Sequence, residues 1–293
     1  MRAWPETRGL AVPAAAAGLI ANVILGASSL YWRALDTIPA TTLLGYRILV
    51  SLVTLVAILA ARGSLHLLAG RITRRLFAVH AAAAILVVIN WGTFIWASIH
   101  GHVIESGLGY LLAPFIAIAV GALALNDTMT RGRVAALAII VTAVGYLLWA
   151  SGDLSHWVYL TIGTTWGGYA CLKKWTVLDA FGGLFIETAV SAALLPLLLL
   201  TTPITLAIPD AATHAQLALL ALCGGVSVIP LALFSFAAAR LALSVMGFFQ
   251  FVLPTTQLLV ALAIYRQPAS HDTLVAFSVI WLCLALIVIE PRV

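Results

Sequence analysis

Charge is what this sequence has least of. Fifteen Lys/Arg and ten Asp/Glu make up 9% of its 293 residues, where a soluble domain carries about 25%. So few ionised side chains cannot present water with a polar surface all round, which excludes a soluble globular protein. Cysteine is scarce too. Cys171, Cys223 and Cys283 stand far apart in apolar runs with no CxxC or Cys/His spacing, so neither a disulfide framework nor a zinc site is indicated. HExxH, GxSxG, P-loop and strand–helix GxGxxG patterns are also missing. His66, His80, His156, His214 and His271 are scattered at loops or segment ends. No catalytic constellation, cofactor motif or metal set is expected, and the chain does not read as an enzyme.

What is there is apolar: 63% of residues, with a mean hydropathy of +1.12. Crossing roughly 30 Å of hydrocarbon as helix takes about 20 residues. Ten segments reach that length or approach it: Leu10–Trp32, Ala40–Ala61, Leu76–Ile99, Ser106–Leu125, Val134–Ser151, Trp157–Leu172, Phe181–Leu200, Leu217–Ala239, Leu243–Tyr265 and Leu274–Ile289. The sixth is weakest, diluted by Thr161, Thr164, Thr165, Gly167 and Gly168. The 62–75 gap reads as a loop. The expected fold is an all-α integral membrane protein of ten transmembrane helices.

Basic residues orient the spans. In a soluble protein a pI near 9.4 would suggest nucleic acid, but here Lys and Arg lie between apolar segments and no nucleic-acid partner is expected. With the N-terminus in the cytoplasm, Arg2, Arg8, Arg62, Arg71, Arg74, Arg75, Arg131, Arg133, Lys173, Lys174, Arg240 and Arg292 fall inside. Arg33 and Arg266 fall outside, and Arg47 lies within a span. This bias places both termini in the cytoplasm.

A shift of 140 residues superposes the chain on itself. Pro114 meets Pro254, Gly107 meets Gly247, Phe94 meets Phe234, Ser51 meets Ser191 and Arg33 meets Lys173. Spans one to five then match six to ten. Five is odd, so the halves, 1–150 and 151–293, are expected to be inverted repeats, as in secondary transporters. Arg47 falls on Glu187, and both lie well inside apolar segments. A charge at the centre of a membrane helix costs about 2.5–3.5 kcal/mol on insertion scales. The two either pair, face a shared polar cavity, or snorkel to an interface.

The densest stretch is Asn90–Pro114, NWGTFIWASIHGHVIESGLGYLLAP. Its polar corner holds His100, His102 and Glu105; His102 with Glu105 is a candidate for proton coupling, or simply caps the next helix. Gly107 with Pro114, and Gly247 with Pro254, are candidate hinges, since an interior proline frees a backbone carbonyl. Polar and aromatic residues within spans, namely Asn22, Tyr31, Asn90, Trp91, Tyr110, Trp166, Tyr169, Gln250 and Gln257, are candidates for a substrate cavity or for interhelical contacts.

That stretch, with GLFIETAVSAALLPL from Gly183, VIPLALFSFAAARLALSVMGFFQFVLPTTQLLVA from Val228, and Ile38-Pro39 followed by Tyr46-Arg47 and Ser51, resembles the RarD-type branch of the EamA family in the drug/metabolite transporter superfamily. The likeness runs from about Gly9 to Glu290. It departs at Leu25, at Asn126-Asp127 and at Gln267-Pro268, where the family carries tryptophan, Glu-Arg and Glu-Pro. The resemblance implies a permease of the bacterial inner membrane with ten helices in two inverted halves. It would move a small organic metabolite or drug-like molecule by alternating access, with export as the family-level direction. A lipid or lipid-linked flippase is the alternative. A monomer and a homodimer both remain open.

Overall fold

The computed structural model describes residues 8–70, 72–124, 129–150, 155–176, 178–201, 205–266 and 270–289, and among them there are helices and no strands. The twelve helices are α1 (Arg8–Arg33), α2 (Ala40–Ala61), α3 (Leu65–Ala69), α4 (Arg74–Ile99), α5 (Val103–Ala124) and α6 (Arg131–Ala150). They continue with α7 (His156–Lys173), α8 (Ala180–Thr201), α9 (His214–Arg240), α10 (Leu243–Gln250), α11 (Val252–Ala263) and α12 (His271–Ile289). In hydrocarbon a backbone must satisfy its own hydrogen bonds, and an all-helix chain does so within each segment. Among the described residues eight helical stretches are long and apolar enough to cross a membrane, α10 and α11 counting as one from Val245 to Ala263. The eight do not include α7, which spans about 27 Å at 1.5 Å per residue but carries the threonines and glycines that dilute its hydropathy. In α12 the apolar described stretch, His271–Cys283, is shorter.

Local chemistry sets the ends. Thr73 caps α4 by accepting from the Leu76 N–H at 3.2 Å, and Thr213 with Gln216 forms a reciprocal capping box on α9. The α4–α5 corner turns on Gly101, whose φ of +81° suits glycine, while the His102 N–H reaches back to the Ala97 carbonyl at 2.9 Å. Several boundaries differ from the sequence reading: α6, α9 and α12 each start three residues earlier than read, and the Leu243–Tyr265 segment is divided into α10 and α11. The 62–75 gap contains the short helix α3, and the fourth segment starts at Val103 instead of Ser106. The departures at Asn126-Asp127 and Gln267-Pro268 lie outside the described residues.

The packing pairs elements symmetrically. In the centre, α1 lies against α9 and α11, while α7 lies against α4 and α5; α2 packs on α9 and α8, α4 on α8, and α5 crosses α10. To one side α6 packs mainly against α12. Large apolar side chains such as Leu123, Trp149 and Leu200 point outward, as they do when the solvent is lipid.

Small residues let the central helices touch backbone to backbone. A Cβ on Gly167 would stand 2.8 Å from Ile116 Cβ and 3.0 Å from the Ala113 carbonyl, and one on Gly163 would meet Leu112 Cβ at 2.9 Å. Gly163 and Gly167 thus form the seam of α7 on α5. Gly247 of α10 sits against Ile118 and the Pro114 carbonyl, and Gly107 of α5 sits against Gln257 of α11. The two candidate hinges do not behave alike. Around Pro114, α5 is continuous, whereas the other copy is interrupted at Phe251, whose N–H turns to Phe248 O, three residues back, at 3.2 Å. Its φ of −65° and ψ of −19° remain helical, so the interruption is a tightened turn with little bend.

Replacing Gly167 by Ala should therefore overpack the α5–α7 seam and cost about 1–3 kcal/mol. Gly145→Ala, with open space around its Cβ, should be neutral or mildly stabilising in a helix. Melting temperatures of the two purified variants check this; equal melting points would remove the seam from the account.

Candidate substrate cavity and buried charges

Arg47 sits two turns into α2 and is 3% exposed. Its guanidinium carbon lies 4.0 Å from the centre of the Trp91 ring and 4.9 Å from that of Trp32. Two indoles thus hold the cation by cation–π attraction, worth about 2 kcal/mol when desolvated. Neither Nε nor Nη1 has a hydrogen-bond partner. The guanidinium faces a small cavity that it lines with Asn90, Trp91, Phe94, Tyr110 and Trp166. Leu25 and Ser28 of α1 and Leu253 of α11 complete the wall.

The wall is ordered by a relay of hydrogen bonds. Tyr110 donates to Asn90 Oδ1 at 2.9 Å; Asn90 Nδ2 donates to Thr165 Oγ1 at 3.2 Å and to the Ile162 carbonyl at 3.3 Å; Thr165 donates to the Thr161 carbonyl at 2.5 Å. A buried amide with every group engaged holds its neighbours in one arrangement. Tyr110 then meets Phe94 and Trp166 edge to face, with ring centres 5.7 and 5.9 Å apart.

Glu187, the repeat partner of Arg47, has a different environment. No ion pair joins the two among the described residues. Glu187 Oε1 accepts from Lys173 Nζ at 2.6 Å and lies 2.8 Å from His80 Nδ1, while Oε2 accepts from the Tyr169 hydroxyl at 3.0 Å. All four residues are buried. The expectation of direct pairing therefore gives way to separate solutions. A carboxylate takes an ammonium, an imidazole and a phenol, because Lys173 at the end of α7 and His80 in α4 point at it. The sequence reading had placed Lys173 in a loop and His80 among scattered histidines.

Four of the nine candidate cavity residues come together with Arg47: Asn90, Trp91, Tyr110 and Trp166. Tyr169 instead belongs to the Glu187 cluster, although it stacks on Trp166 with ring centres 5.4 Å apart. Tyr31 donates to the Leu219 carbonyl. Asn22 donates to its own helix at Gly18 O, 2.7 Å away. Gln250 and Gln257 are buried with both amide atoms unpartnered; Gln257 lines a separate apolar groove between α5, α11 and α12. His102 and Glu105 pair at 2.7 Å, and His100 and His102 each stack on Trp96. That corner is a braced helix junction and forms no part of the cavity wall. Cys171, Cys223 and Cys283 are buried and free. Phe94, Leu25, Ser28 and Leu253 were missed as cavity residues, since no feature of an apolar span distinguishes them.

A bundle of long apolar helices around a polar, partly open centre defines a multi-pass membrane transporter, and comparison bears on the class. An "Uncharacterized transporter" of Vibrio cholerae is 32% identical over 276 residues, covering 92% of this chain and 90% of that protein. "Protein RarD" of Salmonella typhi is 31% identical over 278 residues, covering 93% of each. The protein of the same name in Escherichia coli is 30% identical over 280 residues. The chain belongs to the RarD family of transporters. No family model matches the sequence. A crystal structure with a TM-score of 0.68 covers 94% of this chain and 96% of its own at 17% identity, and shares the fold.

Removing one partner of a buried ion pair leaves an uncompensated charge, at about 3–5 kcal/mol, whereas replacing both with apolar groups is often neutral. Lys173→Met should lower the melting temperature strongly, and Lys173→Met combined with Glu187→Leu should recover most of it. If Lys173→Met melts with the parent protein, Lys173 does not neutralise Glu187.

Proposed function

We propose that this protein is a secondary transporter of the bacterial inner membrane, moving a small organic metabolite or drug-like molecule outward by alternating access. The observation that carries the reading is the small, partly open cavity at Arg47, lined by aromatic rings and by helices from both halves of the chain.

Ten spans are assigned by adding α7 and α12 to the eight apolar stretches. Residues 1–150 and 151–293 form the two inverted repeats, with both termini in the cytoplasm. The packing supports this. The 140-residue shift turns the α1–α9 contact into α7–α4, α2–α9 into α8–α4, and α1–α11 into α7–α5. It returns α2–α8, α5–α10 and α6–α12 to themselves, as contacts across a pseudo-two-fold axis must return. On this topology Arg47 lies in the outer half of the bundle and Glu187 in the inner half.

Between them stands the stacked pair Trp166–Tyr169 on α7, flanked by Phe234 of α9 at 4.9 and 6.3 Å. Trp166 floors the cavity, and Tyr169 is tied to Glu187. This aromatic layer, locked by the Glu187–Lys173–His80 cluster, acts as the inner gate. Gly107 with Pro114 and Gly247 with Pro254 lie where α5 crosses α10 and α11, at the seam that shifts as the gate changes state. The names borne by the relatives, transporter and RarD, agree with this class of activity.

Solutes that raise the melting temperature of the purified protein identify ligands, because binding to the native state stabilises it. In proteoliposomes such a solute should show saturable uptake that speeds up when the lumen is preloaded with the unlabelled form, and Trp166→Ala should abolish that acceleration. Uptake without counterflow would indicate a channel, and movement of labelled lipid alone would indicate a flippase; either result overturns the carrier.

A further inference from the structure

Arg47 is a buried cation beside two indoles, with Nε and Nη1 lacking a hydrogen-bond partner among the described residues. Its guanidinium carbon lies over the Trp91 ring at 4.0 Å and over the Trp32 ring at 4.9 Å. The side chain lines the cavity. Among the described residues no acidic side chain lines that cavity, and Glu187 is engaged by Lys173, His80 and Tyr169. Cation–π attraction to ring faces leaves guanidinium N–H donors available to a carboxylate. A further donor, the indole N–H of Trp166, is buried in the same wall and also lacks a partner.

We infer that this water-sized cavity, once its walls part, binds an organic anion bearing a single carboxylate, seated against the Arg47 N–H donors, with an apolar or aromatic body packed on Phe94, Tyr110 and Trp166. The charge count sets the class. Arg47 is the one charged side chain among the described residues of the cavity wall, so a monoanion is neutralised there, whereas a phosphate monoester would retain uncompensated charge in a low-dielectric site. The body follows from the wall: three aromatic rings and two leucines, with the Asn90 amide already committed to Tyr110, Thr165 and Ile162. The ligand supplies what the fold lacks, a counter-ion for Arg47. This inference rests on the carrier reading for the fate of the anion, but its binding can be tested without transport.

The test uses the full-length protein in detergent, read by melting temperature and tryptophan fluorescence, with benzoate, phenylacetate and hexanoate each set against its primary amide, and with phenyl phosphate. At least one carboxylate should bind more than tenfold tighter than its amide and tighter than phenyl phosphate. Arg47→Met should bring the carboxylate-to-amide ratio to about one. Arg47→Lys, which keeps the charge and loses the fork, should retain a reduced preference and serves should the methionine variant fail to fold. Trp166→Phe, which keeps a ring in the wall and removes the indole N–H, should weaken the carboxylate more than its amide. The inference is overturned if no carboxylate of the panel binds, if amides bind equally well, if phenyl phosphate is preferred, or if neither Arg47 variant reduces the preference. Carboxylate binding without counterflow of the labelled carboxylate would remove the carrier and leave the site; counterflow of neutral solutes alone would do the reverse.

Discussion

A charge placed in hydrocarbon must find compensation within the protein, and this bundle compensates its two repeat-equivalent charges in opposite ways. Glu187 is neutralised locally by the Lys173 ammonium at 2.6 Å and held by two further partners. Among the described residues Arg47 has the quadrupoles of Trp32 and Trp91 beside it, with Nε and Nη1 unpartnered. Ring faces attract a cation without quenching its N–H donors. The first arrangement closes a site and the second leaves one open. Most of the polar geometry in the core serves one or the other.

The helix that links them is the one whose hydropathy is poorest. Residues that dilute α7 build the site: Gly163 and Gly167 let it approach α5, Thr165 receives the Asn90 amide, and Trp166 and Tyr169 divide the cavity from the Glu187 cluster. Close approach has an electrostatic consequence here. With α5 and α7 in backbone contact, Tyr110 and Trp166 meet edge to face and the Tyr110–Asn90–Thr165 relay closes. A bulkier seam would separate these donors and acceptors in a medium with no water to replace them.

Much of this was legible in the sequence, and the part that was not has identifiable causes. Helices α1, α2, α8 and α9 follow from uninterrupted apolar runs, because length and hydropathy are local properties. Arg47 and Glu187 were conspicuous for the same reason, as charges where charges are costly. Their partners were not. Lys173 reads as a loop residue beside Lys174, yet it ends α7 pointing inward; His80 lies among apolar residues that reveal no facing direction, since α4 is apolar on nearly every side. Asn90, Trp91, Tyr110 and Trp166 could be named as candidates because polar or amphipathic groups in a span need a reason. Tyr31, Asn22 and Tyr169 met the same criterion and found carbonyls or a carboxylate instead. Composition marks a residue that must be satisfied, and only the packing decides by what.

The unequal treatment of the two charges also gives the cavity a sense. On the proposed inverted-repeat topology, identical halves would present a ligand with the same field from either side. Here the cation of one half is exposed to the cavity, while the cation of the other, Lys173, is already claimed by Glu187 behind the Trp166–Tyr169 layer. A monoanion inside the bundle therefore has one electrostatic anchor, at Arg47, and would have to displace Glu187 to find another. A carrier needs a site strong enough to select its ligand yet weak enough to release it when the walls move. On the proposed mechanism a single cation beside two ring faces suits that requirement, because ring faces attract the cation without consuming its N–H donors.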